Sequence, residues 1–182
     1  MGRDKAGLLL GGEPLWSRQL AILQSTAPTE LFISGRPDGP YFEAGLPVVI
    51  DTQPDLGPLG GLAAAFHHAA HDSLLVLAID LPKMTAHFLT SLIREASPGI
   101  GVIPSWGDRF EPLAAIYPRA CLPLIEEGLQ NPDRSLHRIV HSAIDRGWLL
   151  PRPIQQNEAP LFENLNRPED LATLGLPFAT EG

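Results

Sequence analysis

Leu74-Leu-Val-Leu-Ala-Ile79 runs straight into Asp80-Leu-Pro82, and this stretch decides the fold class. An apolar run with no polar alternation suits a strand covered on both faces, as in a parallel sheet with helices above and below. The carboxylate that follows lies at the strand's carboxyl end, where open α/β sheets bind their ligands. On the amino side, Gly57-Pro-Leu-Gly-Gly61 leads into an alanine-rich run that reads as a helix over 62–70. Further back, Val48, Val49 and Ile50 form a strand over 47–50 with Asp51 at its end. A strand over 30–34 stops at Gly35, Pro37 and Gly39, and a helix over 14–24 places Leu15, Leu20 and Leu23 on one side.

The alternation continues toward the carboxyl end. Thr85 is an N-cap for a helix over 85–96, followed by strands over 100–103 and 112–117. Helices over 122–129 and 135–145 come next. The tail returns through 162–166 and closes on a short helix from Pro168, a favoured first-turn residue. Strands alternating with helices predict an α/β fold with a mainly parallel sheet in a single domain over 1–182.

Composition narrows the function. The 182 residues carry 13 Lys and Arg against 21 Asp and Glu, a net charge of −8, which disfavours a general nucleic-acid binder. A hydrophobic fraction of 44% supports a packed core, and no apolar run is long enough to span a bilayer. Gly2 invites an acylation reading, but Ala6 stands where that motif needs Ser or Thr. The single cysteine, Cys121, rules out a disulfide within the chain and suits a reducing cytoplasm.

Asp80 supplies a hard oxygen ligand for a divalent cation such as Mg²⁺, which keeps waters and substrate phosphates around it. The same position equally suits a strand-end Asp that caps the next turn through its side chain. His67 and His71, like His137 and His141, are four apart, but neither pair has the intervening Glu of a zinc-protease helix, so both read as surface histidines. Trp16, Trp106 and Trp148 are too scattered to form a stacking platform.

Met1-Gly-Arg-Asp-Lys-Ala6, Gly12, Pro14-Leu15, Asp51, Gly57-Pro-Leu-Gly-Gly61, Asp80-Leu-Pro82, Pro112-Leu113 and Asn164-Leu-Asn166-Arg-Pro-Glu169 occur in one order. This series resembles the molybdenum cofactor guanylyltransferases, the MobA-like branch of the nucleotidyltransferases, over almost the whole chain. The resemblance implies a Rossmann-like three-layer α/β sandwich. It further implies transfer of GMP from GTP to the terminal phosphate of molybdopterin, with Mg²⁺ as cofactor and pyrophosphate as product. By the same resemblance Lys5 and Asp80 are catalytic and Asp80 carries the metal. Ser34, Asp51, Gly57, Leu59 and Gly60 join Lys5 and Asp80 in holding the nucleotide, and Asn164 and Asn166 face the molybdopterin.

The glycines of 57–61 allow close backbone approach, and the helix that follows offers its amino terminus to an anion. Implied partners are the two substrates, with transient contacts to delivery proteins or recipient molybdoenzymes, and neither nucleic acid nor membrane. The family pattern also places a strand and a Leu-Ala-Gly-Gly-x-Ser-x-Arg loop ahead of Met-Gly, so the expected domain is incomplete at its amino end relative to the family. Arg109-Phe-Glu111 stands where relatives commonly have His-Pro. The alternatives to guanylyl transfer are a cytidylyl or sugar-phosphate nucleotidyltransferase, or a catalytically silent nucleotide-binding domain.

Overall fold

A computed structural model of the chain describes residues 5–50 and 56–165. A 3-10 turn at Lys5–Gly7 leads into a small hairpin, β1 (Leu9–Leu10) and β2 (Glu13–Pro14). Helix α1 (Leu15–Gln24) follows, with extended Pro14 as its entry residue. Strands β3 (Ile33–Gly35) and β4 (Val48–Ile50) pair in parallel as a two-stranded sheet. Helix α2 (Gly57–His68) starts earlier than the sequence suggests: the glycine-rich stretch forms its first turns rather than a loop before it. Pro58 in the first turn explains this, since its missing N–H costs nothing there and its fixed φ is already helical.

The large sheet begins with β5 (Ser73–Leu77). Helix α3 (Ala86–Glu95) is capped as expected, Thr85 Oγ1 accepting from Phe88 N at 3.2 Å. Then come β6 (Gly101–Trp106), β7 (Arg109–Phe110) and β8 (Ala114–Pro118). Helices α4 (Leu122–Leu129) and α5 (Leu136–Asp145) precede β9 (Leu149–Pro153). In the sheet β8 lies between β5 and β6, antiparallel to both, while β9 runs parallel to β6 on its other side.

Thus β5, β6 and β9 share one direction, as a parallel sheet requires, and the sheet as a whole is mixed. The reason is chain length. Between Trp106 and Ala114 there is no room for the crossover of a dozen or more residues that a parallel return needs. The chain instead turns tightly at Gly107, in the left-handed region at φ 56°, and pairs back through β7.

One layer of core joins α2, α4 and α5 to one face of the sheet around Phe66, Ile103, Tyr117 and Ile125, and a second packs α3 on the other face around Phe88, Leu89 and Leu92. These two faces account for the continuous apolar character of β5. Between the sheets, the outer edges of β3 and β5 face a common cavity of about 450 Å³, walled by α1 through Gln19 and Leu20 and by α2 through Gly61 and Leu62. The expected helix from Pro168 lies outside the described residues.

Candidate active site

Asp80 sits just past β5, as its sequence position dictates, with its side chain 29% exposed. The 3-10 turn at the start of the described chain brings Lys5 Nζ to 3.3 Å from Asp80 Oδ2. The other end of the described chain reaches the same place: Leu165 N donates to Asp80 O at 2.9 Å. Leu165 is fully buried with Leu10 and Leu15, against Leu8 and Ile79, so this anchoring is apolar as well as hydrogen-bonded. It sets the exposed Asn164 immediately beside the Asp80 turn. Lys83 strengthens the junction by pairing with Glu163 at 2.7 Å.

The Asp80 turn is also held from α1. Gln19 Nε2 donates to Ala78 O at 3.2 Å and to Leu81 O at 2.7 Å, and Arg18 Nε donates to Pro82 O at 3.0 Å. Ala78 N in turn donates to Leu113 O at 2.7 Å, which ties in the Pro112-Leu113 segment. Glu111, just ahead of it, is the residue that sequence reasoning left without a role. Burial, and then the nearby Asp80 charge, hold its carboxyl above the ordinary carboxylate range. Its place directly before Pro112-Leu113 was the available signal.

Ser34, the middle residue of β3, meets α2 beside the cavity. A methyl group added at Gly61 would come to 3.1 Å from Ser34 Oγ, so glycine here lets the strand and the helix lie close together. Gly57 opens α2 at φ 63°, and Leu56 before it supplies no side-chain cap. The Leu59 side chain points into the core and Gly60 is buried, which leaves only backbone at these two positions for a ligand. The structure therefore brings Lys5 to Asp80, with Asn164 next to the residue bonded to the Asp80 turn, while Ser34 and Gly57 line the cavity between the sheets. Asp51 and Asn166 lie outside the described residues.

The histidines are engaged separately. His67 pairs with Glu126 at 3.1 Å, His71 Nε2 lies 3.2 Å from Thr29 Oγ1, and His141 packs edge-on against Phe110. Burial pushes the Cys121 thiol up to about 12, so it is an unreactive core residue at neutral pH. Among the described residues no helix is long and apolar enough to cross a membrane.

Comparison with known proteins gives the fold a family. Residues 1–146 match the model of the MobA-like NTP transferase domain. A protein of Opitutus terrae named probable molybdenum cofactor guanylyltransferase is 35% identical over 173 residues, covering 93% of this chain and 86% of its own length. Two solved structures share the fold. Molybdopterin-guanine dinucleotide biosynthesis protein A from Archaeoglobus fulgidus superposes with a TM-score of 0.70 at 22% identity, covering 95% of this chain and 89% of its own. A nucleotidyl transferase from Methanothermobacter thermautotroptrophicus gives 0.73 at 18% identity, covering 93% and 82%. The paired Lys5 and Asp80 at a strand end, on an α/β framework of this kind, thus have a family setting: the chain belongs to the MobA-like NTP transferase domain family.

Proposed function

We propose that this chain transfers GMP from GTP to the terminal phosphate of molybdopterin, forming molybdopterin guanine dinucleotide and pyrophosphate in the cytoplasm. The observation that carries the reading is the contact of Lys5 with Asp80 at the end of β5, with the Asn164 segment pinned beside it. A phosphate oxygen of molybdopterin bonds to the α-phosphorus of GTP as the bond to the bridging oxygen breaks and pyrophosphate departs. Two anions must meet, so the protein's task is positioning and charge neutralisation.

Lys5 holds oxygens of the triphosphate and stabilises the charge on the five-coordinate phosphorus. Ser34, Asp51, Gly57 and the backbone at Leu59 and Gly60 orient the nucleotide from the α2 side. Asn164 and Asn166 offer both donors and acceptors to the pterin. Asp80 fits a hard divalent cation: it presents a part-exposed carboxylate with, among the described residues, one oxygen taken by Lys5. Mg²⁺ bound there would supply positive charge between the phosphates. The acceptor implies passing contacts with proteins that deliver molybdopterin or receive the product.

Incubation with molybdopterin, Mg²⁺ and either GTP or CTP tests the assignment. Pyrophosphate should appear with GTP, and release with CTP alone would sink the guanylyl reading. Asp80→Asn should abolish turnover while its circular dichroism and melting stay those of the parent, and retained turnover would refute the metal role.

A further inference from the structure

We infer that Gln19 is a positioning residue for this reaction, holding the turn that carries Asp80 in the place where its carboxylate can serve. The inference rests on the proposed role of Asp80 and adds to it a part of the machinery outside the cleft motifs. Gln19 is only 4% exposed, and its Nε2 donates to the carbonyls of Ala78 and Leu81, one on each side of Asp80. Arg18 extends the same clamp to Pro82 O. Three hydrogen bonds from two neighbouring side chains of α1 therefore hold the 78–82 backbone by its carbonyls.

The amide's orientation follows from its partners, because reversing it would set its oxygen against two carbonyl oxygens. That orientation leaves Gln19 Oε1 buried with no hydrogen-bond partner among the described residues. A buried unpaired acceptor keeps its full desolvation penalty, which a leucine of similar size would avoid. The amide is thus a poor choice for packing and a good one for fixing the Asp80 turn. Local rules are commonly broken in this way at functional sites.

The test uses Mn²⁺ with GTP, followed by electron paramagnetic resonance, beside steady-state kinetics of the full chain. Gln19→Leu should weaken Mn²⁺ binding by about tenfold to a hundredfold and lower kcat, with a KM for GTP near that of the parent. Ile22→Ala, on α1 and packed against α3, gives a comparison of pure stability loss. If metal affinity and kcat of Gln19→Leu match those of Ile22→Ala, the inference is overturned. Wild-type Mn²⁺ binding by Asp80→Asn would instead defeat the underlying assignment of Asp80. Loss in Asp80→Asn with none in Gln19→Leu defeats only the positioning role. Should Gln19→Leu fail to fold, Arg18→Met removes one bond of the clamp and should weaken Mn²⁺ about threefold. Unchanged affinity there counts against the inference equally.

Discussion

Lys5 and Asp80 lie 75 residues apart in the chain and meet at 3.3 Å, with side chains 33% and 29% exposed. An ion pair that exposed is worth about 0–1 kcal/mol to the fold, because water screens it and both side chains lose freedom. In the proposed transfer, which joins two phosphates, its value is larger, since a fixed cation acts where negative charge builds up. Lys5→Met should therefore lower turnover by about a hundredfold or more. Its melting temperature should stay within a few degrees of the parent. Assays of pyrophosphate release alongside thermal melts separate these effects: a collapsed melting temperature with intact turnover would make Lys5 structural. At this scale the sequence spoke through motif order. It named Lys5, Ser34, Asp80 and Asn164, but composition and spacing gave no hint of Gln19, whose neighbours are non-local.

Elements were legible where their pattern was local. The α3 cap at Thr85, the helices α4 and α5, and the apolar strand β5 follow from periodicity and from residues adjacent in sequence. Strand β9 was not legible, because Pro151 and Pro153 argue against a strand. The structure resolves the conflict by alternation. Ile154 N donates to Ser105 O, so the prolines, at odd positions in the register, turn toward the edge that β6 does not occupy. Arg152 between them anchors the strand, bonding both oxygens of Glu158 at 2.9 and 2.7 Å and Glu95 at 2.9 Å while lying over the Phe88 ring. The Arg152 hydrogen bonds hold the Glu158 carboxyl below its ordinary value of 4.5. A depressed carboxylate adds stability that is complete above the unfolded value and is lost as pH falls toward the folded one. Glu158→Gln should accordingly cost about 1 kcal/mol at neutral pH. The difference from the parent should shrink between urea melts at neutral pH and melts well below pH 4.5, as the parent's Glu158 takes up a proton and loses its charge. An equal gap at both pH values would show that shape, not charge, anchors β9.

The whole molecule divides its stability unevenly, and the proposed site straddles the division. Strand β8 is buried at every residue and paired on both sides, so its amides should open only with global unfolding. Strands β3 and β4 share three residue pairs, and Ile50 is 41% exposed, which places them toward the weak end. Sequence periodicity could not reveal this contrast, since it depends on which strand edges find partners, and the inverted β8 was set by connection length. Ser34 sits on the weaker sheet, while Asp80 extends from the stronger one and Lys5 pairs with it. A nucleotide that touches both sides must tie them together, and ligand at a hundredfold excess over Kd adds about 2.7 kcal/mol to the state that binds it. Hydrogen exchange read by mass spectrometry should then show β8 slowest in the free protein and β3 and β4 among the fastest strands. Addition of GTP with Mg²⁺ should slow β3 and the first turn of α2, and should slow β8 by the full gain in global stability, because β8 opens only when the bound state unfolds. Protection confined to the Asp80 turn and β8, with β3 exchanging as before, would remove Ser34 from the nucleotide site and leave binding to the large sheet alone.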